Sequence, residues 1–309
     1  RSLSDLLIDI KHGLLSQIRA QKKALKRIGK HYDAIIAIGD VFCLYMCSNA
    51  AKQCFFLPTA KSDSFMPHSW LERQLIKRWA IKSYPRDKAT CNSFKSYKVN
   101  SDYFGNAMMD GLLTSEKAVE ATEEELVIGI LAGSREEAYE NMAKITDVCA
   151  AIQKKETKPC IFVAAIAPSL CTDKLAKHCR MSLKESNRHS GKIMHNDSLS
   201  IHLSGHFLRV INQATFIIGL SGTANEQAMH IGKTVFAFEG CGTQSTLQRF
   251  HEQKKLMNNA LIVIEHTNSN DIASDILAHN EAPSDSKSSQ KSDAAKAIIQ
   301  DIVKQYNAT

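Results

Sequence analysis

Several features that would announce a function are missing from this 309-residue chain, and each absence removes a class. No apolar run approaches the roughly 20 residues that a membrane-crossing helix needs. No cysteine pair has metal-site spacing: Cys43 and Cys47, like Cys171 and Cys179, stand too far apart for CxxC, so no metal is expected. The dinucleotide fingerprint GxGxxG and the phosphate-loop motif GxxxxGK(S/T) are both absent, which argues against classical nicotinamide enzymes and P-loop NTPases. Basic residues interleaved with aromatics are also lacking, and nucleic acid is not an expected partner. The chain opens Arg1-Ser2-Leu3, with neither Met nor a signal peptide, and reads as a piece of a longer protein.

What is present suits a protein with sizeable cores. The apolar fraction is 44%, and the length is comfortable for two domains. Nine cysteines, an odd number, include Cys43, Cys54, Cys149 and Cys160 inside apolar runs; they read as free thiols in a reducing compartment, which points to the cytoplasm. Residues 1–100 carry 18 Lys and Arg against 7 Asp and Glu, whereas the whole chain is only +7, so the remainder is net acidic. A basic N-terminal part could face an anionic membrane surface.

Taken in order, 3–28 has helical apolar spacing with Gly13 as a weak point. Residues 33–38 form a buried strand ending in Gly39-Asp40, which places Asp40 where a cleft would open; its carboxylate is either a general base or a helix N-cap. Residues 54–57 are another strand. In the helix over 67–81, Trp70, Leu71, Leu75 and Trp79 share a face ringed by Arg73, Lys77, Arg78 and Lys82, a pattern shared by helices on an anionic bilayer and by core-facing helices, of which the core is the commoner case. Residues 83–87 end a further strand, and the acidic run 116–125 reads as a solvated link.

From Leu126 the pattern repeats as strand, Gly133-Ser134-Arg135 turn and helix, followed by a strand over 161–166. Lys184 to Ser198 reads as an irregular excursion and 203–214 as a helix. The most informative stretch is Ala214 to Phe250. It holds the strand Phe216 to Leu220, the turn Ser221-Gly222-Thr223, a helix over 224–231, a strand over 234–238 and the loop Glu239-Gly240-Cys241-Gly242-Thr243-Gln244. A small-residue turn opening a helix aims backbone N–H groups and the helix dipole at one point, which suits a phosphate, although a well-capped βα turn has the same look. Ser221 or Thr223 is the expected cap. A last strand covers 260–265, Ser284 to Ser292 reads as a mobile linker, and 294–306 as a terminal helix. The alternation predicts an α/β protein with two doubly wound parallel sheets, divided as 1–125, 126–280 and a 281–309 tail.

These motifs resemble a family. ILAGSREEAYENM and LSGTANEQ are similar to turns of lipid-A-disaccharide synthases. SYPRDKATCNSF, YFGNAMMDGL and GCGTQSTLQRFHEQKKLM resemble the related branch common in cyanobacteria, and together the motifs span about 5–265. The resemblance implies a GT-B fold of two Rossmann-like domains and a hexosyltransferase of lipid A biosynthesis. Such an enzyme transfers a sugar from UDP with inversion to a lipid-linked or glycolipid acceptor, without metal or other cofactor, at the inner membrane surface. By motif, Gly133, Ser134, Arg135, Ser221, Gly222 and Thr223 would meet the diphosphate, Glu226 the ribose, and Gly240, Gly242 and Gln244 the pocket border. Asp40 would be the catalytic carboxylate. The chain departs from the synthases in placing Gln227 where their ribose residue stands, in AIGDVF at Asp40, and in lacking their Gly/Ser-rich opening strand and loop, so the first sheet is expected to be incomplete. A UDP-sugar 2-epimerase-like enzyme and a non-catalytic nucleotide-sugar-binding protein share the same fold and are the alternatives.

Overall fold

A short parallel strand that is apolar at every position must be covered on both faces, and Leu126–Leu131, Phe216–Gly219 and Val235–Phe238 are built that way, whereas Ala34–Gly39, expected to be buried, leaves Ile38 60% exposed. The structure, a computed structural model, describes residues 11–48, 50, 53–186, 191–256, 260–280 and 293–307. The chain divides into two units, residues 1–110 with 291–309, and residues 111–290. The division falls at 110/111, where the sequence pattern placed it at 125/126.

In the first unit, α1 (Leu14–Gly29) starts after Gly13, whose φ of +94° lies in the left-handed region. Next come β1 (Ala34–Gly39), α2 (Val41–Cys47), β2 (Gln53–Pro58), α3 (Trp70–Trp79), β3 (Lys82–Ser83) and α4 (Lys88–Ser96). The three strands are parallel in the order β1-β2-β3. Alternation along β2 fixes its two faces: Cys54 and Phe56 pack with Leu44, Ile76 and Phe94, while Phe55 and Leu57 pack with Tyr84, Ile298 and Ile302. The last two residues belong to the terminal helix, Ala294–Asn307, which therefore completes the first unit instead of forming a tail of its own. Asp110 caps its start, accepting from the Ala294 and Ala295 amides at 3.2 and 2.6 Å. Its Asp301 carboxylate accepts from Lys82 Nζ and Tyr84 Oη, both at 2.8 Å. The linker expected at 284–292 lies outside the described residues.

The loop before α3 is held by a buried carboxylate. Asp63 Oδ1 accepts from the His68 amide at 2.8 Å and lies 2.6 Å from His68 Nδ1, while Oδ2 accepts from Arg73 Nη2 at 2.9 Å. Burial pushes this carboxyl up, but hydrogen bonds from Ser93, His68 and Arg73 outweigh it and hold the group down at about 2. Helix α3 then begins in a full capping box between Ser69 and Glu72.

The single apolar face expected on α3 is split. Ile76 is completely buried and flanked by part-buried Leu75 and Trp79, whereas Trp70 and Leu71 stand 65% and 57% exposed. The reason is rotational: once Ile76 points into the sheet, Trp70 lies about 600° of helix behind it, on the far side. Ile76→Ala should therefore cost about 2–5 kcal/mol and Trp70→Ala less than about 0.5 kcal/mol. Comparing urea midpoints of the two variants decides this, and equal losses would restore the single face.

The second unit runs β4 (Leu126–Leu131), α5 (Ala138–Lys155), β5 (Cys160–Ala165), α6 (Thr172–His178), β6 (Ser182–Glu185), β7 (Lys192–His195), β8 (Ser200–Ser204), α7 (Phe207–Gln213), β9 (Phe216–Gly219), α8 (Thr223–His230), β10 (Val235–Phe238), α9 (Leu247–Leu256), β11 (Leu261–Ile264) and α10 (Ser269–Asn280). The sheet order is β11-β10-β9-β4-β5-β8-β7-β6, parallel except for the pairings of β7 with β6 and β8. Both faces of β4 are covered: Leu126, Ile128 and Ile130 join the main core, and Val127 joins Val163 and Val210 on the other side.

Three sequence expectations change here. The stretch 184–198 contains the β6–β7 pairing, so it is not irregular throughout. Leu203 belongs to β8, not to a helix; Ile201 and Leu203 alternate inward, a two-residue period too short to stand out beside the apolar run that follows. The acidic stretch 116–125 is only partly solvated. Ala118 and Val119 are buried, and Gln213 holds them, its Oε1 accepting from both amides at 2.8 and 3.1 Å and its Nε2 donating to Val119 O at 2.7 Å.

Candidate functional site

The strand order of the second unit reverses between β4 and β9. From β4 the chain builds outward through β5 and β8, and from β9 it builds the other way through β10 and β11. Open parallel sheets bind ligands outside the carboxyl ends of strands at such a switch point, because the helices that follow the two strands leave to opposite sides. Leu131 pairs with Gly219, and the Leu220 amide donates to Leu131 O at 2.9 Å, so the two strand ends lie level. Gly133, Ser134 and Arg135 follow β4, Ser221, Gly222 and Thr223 follow β9, and Gly240, Gly242 and Gln244 follow the adjacent β10. These nine residues are brought to one edge of one sheet.

The two turns at the reversal differ in construction. Gly133 has φ of +110°, and Ser134 and Arg135 beyond it are exposed. The Ser134 carbonyl accepts from Ser169 Oγ at 2.8 Å, fixing the turn from the β5 side. The N-cap of α8 is Gly222, and no side chain caps it, so neither Ser221 nor Thr223 plays the capping role expected of them. A helix start whose N-cap residue offers no side-chain acceptor suits an anionic ligand. A Cβ placed on Gly222 would meet nothing within 4 Å, so the glycine borders open space. Behind it, Gln253 Nε2 donates to Gly222 O at 2.8 Å and holds the turn. Asn225 Nδ2 donates to Gly219 O at 3.0 Å and draws α8 onto β9. Glu226 is buried on the first turn of α8.

The glycines after β10 pack closely against neighbouring side chains. A Cβ on Gly240 would lie 2.7 Å from Asn141 Oδ1 and 2.8 Å from Ser245 Cβ; one on Gly242, at φ +89°, would lie 2.8 Å from Glu137 Cγ. Both positions are glycine because α5 presses on the loop. Gln244 is exposed at its rim.

Asp40 lies in the first unit and is the N-cap of α2, its Oδ1 accepting from the Cys43 amide at 3.1 Å. Asp40 is thus not joined to the nine residues within one unit, and capping accounts for its position. Sequence reading missed Asn141, Ser245 and Gln253, whose partners lie far away in the chain, and Asn225, whose partner Gly219 is six residues back. A cavity of about 370 Å³ near the beginnings of β5 and β8 touches Cys160, Asn196 and His202. Burial there pushes the Cys160 thiol up to about 11, too high for a nucleophile near neutral pH. Among the described residues no cluster of His, Cys, Asp or Glu could hold a metal ion, and no helix is long and apolar enough to cross a membrane.

No protein-family model matches the chain, and no curated protein matches its sequence. Solved structures do match. A complex of S. aureus MnaA with UDP superposes with a TM-score of 0.64 at 16% identity, covering 96% of this chain and 82% of the other. A UDP-N-acetylglucosamine 2-epimerase from Listeria monocytogenes, described as putative, gives 0.63 at 14% identity with coverage of 96% and 80%. The UDP-GlcNAc 2-epimerase of Neisseria meningitidis, bound to UDP-GlcNAc, gives 0.61 at 14% with 94% and 82%. Likeness at these identities establishes the fold: the chain is an α/β protein of two Rossmann-like units, GT-B-like in architecture.

Proposed function

We propose that the second unit binds a UDP-sugar at the β4–β9 reversal and that the chain is a UDP-sugar-utilising enzyme. The observation that carries this is that the uncapped start of α8 and the exposed Arg135 each follow one of the two strands at the switch point of a parallel sheet. A diphosphate is the ligand such a place suits: helix amides and an arginine together neutralise its charge without a metal. Buried Glu226, one turn along, is the proposed ribose contact, and Gly240, Gly242 and Gln244 the pocket border.

For the reaction, the solved neighbours favour a UDP-sugar 2-epimerase-like reading, since two are described as UDP-GlcNAc 2-epimerases and one of these holds UDP-GlcNAc. A second reading, sugar transfer to a lipid-linked or glycolipid acceptor, is favoured by the motif resemblance. The exposed Trp70 and Leu71 on the same helix as Lys77 and Arg78 would then meet an anionic membrane, and Asp40 would be the proposed catalytic carboxylate. Incubation with UDP-GlcNAc alone separates the two: a 2-epimer in the product supports the first, and turnover only with an added glycolipid supports the second.

Arg135→Ala should weaken UDP binding by about 1.5–3 kcal/mol with the melting temperature nearly unchanged, because an exposed side chain contributes little to folding. Calorimetric titration reads both consequences together with a melt. Folded wild-type protein that binds no nucleoside diphosphate would overturn the whole reading.

A further inference from the structure

We infer that Asn141 and Ser245 are positioning residues for the diphosphate loops, an inference that rests on the UDP-sugar reading of the same site. Asn141 lies in the second turn of α5 and is 1% exposed, as is Ser245. Asn141 Oδ1 accepts from the Cys241 amide at 2.6 Å. Its Nδ2 lies 3.3 Å from Ala132 O, 3.3 Å from Ser245 Oγ and 3.4 Å from Cys241 O, so two amide hydrogens serve three acceptors. The Ser245 hydroxyl in turn donates to Leu220 O at 2.8 Å, and the Gly240 amide donates to Ser245 O at 2.8 Å. Ala132 begins the segment after β4, Leu220 begins the segment after β9, and Gly240 with Cys241 lies in the segment after β10. One carboxamide and one hydroxyl thus bind all three strand exits that carry the candidate site.

Filling space does not explain this pair. A leucine at 141 would occupy a similar volume but strand the Cys241 N–H, and a buried polar network is worth having only when it fixes one geometry that apolar packing would leave loose. What it fixes is the relative height of three loops whose amides are to face one ligand. An arrangement of donors a few tenths of an ångström off its target loses affinity for the charged group and not for parts of the ligand held elsewhere.

The test compares UDP with uridine, by competition titration, on wild type, Asn141→Ala, Ser245→Ala and the double variant. Expected is a tenfold or larger loss of UDP affinity in each single variant, uridine affinity unchanged, and a double variant no worse than Asn141→Ala, since both act through one connection. Equal losses for UDP and uridine, or additive losses, would reduce the pair to ordinary core residues. If Asn141→Ala does not fold, Ser245→Ala alone carries the comparison. Wild-type protein that binds neither compound defeats the UDP reading separately. Hydrogen exchange then decides the connection itself: the Gly240 and Cys241 amides, which donate to Ser245 O and Asn141 Oδ1, should be protected in wild type and released in Ser245→Ala, and unchanged protection overturns it.

Discussion

Replacing Asp63 by alanine is expected to cost about 3–5 kcal/mol, enough to unfold most of the first unit at 37 °C. The substitution leaves the Arg73 guanidinium, only 11% exposed, without its carboxylate, and it frees the His68 amide that fixes the loop into α3. The same group makes stability depend on acid in a stated direction. Its carboxyl sits at about 2 in the folded protein against an ordinary 3.8. The stabilisation is therefore complete above about pH 4 and is lost as pH falls from there toward 2, amounting to about 2.5 kcal/mol. Denaturant melts of wild type and Asp63→Asn at pH 2.5 and pH 6 check this. The gap between them should narrow in acid, and a constant gap would show that the carboxylate charge contributes nothing.

Truncation after residue 290 should have a larger effect still. Ile298 and Ile302 are 2% and 7% exposed, and each buried isoleucine contributes about 1.5–3 kcal/mol. Without the helix, Phe55, Leu57 and Tyr84 face water, and Lys82 keeps only the half-exposed Asp102 as a carboxylate partner. The sum approaches the whole stability of a small unit. Limited proteolysis should cut 11–110 rapidly while 126–256 resists. Equal resistance to that of the full chain would show that the helix is an appendage. Asp301→Ala gives a graded version, expected to lower the first transition without abolishing it.

How much of this was readable from residues alone follows their partners' distance. Phe216 to Gly219 and Leu126 to Leu131 announce themselves because a buried parallel strand is apolar throughout, and a small-residue turn follows each closely. The turns carrying Arg135 and Gly222 are local for the same reason. Asn141 gives no local sign: a polar residue inside a helix ordinarily marks its wet face, and only Cys241 and Ser245, a hundred residues on, show that it points inward. Gly240 and Gly242 give no local sign that side chains of α5 and its N-cap crowd them. Asp63 and His68 pass for loop residues, and α3 was misjudged because tryptophan suggests burial more strongly than isoleucine, although Ile76 took the core position.

The return of the terminal helix to the first unit has a consequence for synthesis on the ribosome. Residues 34–96 leave the ribosome early, but the face of β2 made by Phe55 and Leu57 lacks its cover by Ile298 and Ile302 until the chain has passed residue 302. At synthesis rates of about 5–20 residues per second, that wait is on the order of ten seconds or more. The second unit, being continuous in the chain, can fold during it. The first unit must therefore spend this interval as a nascent chain with an open hydrophobic sheet, which makes it the natural client of ribosome-associated chaperones and the part most exposed to aggregation when translation stalls.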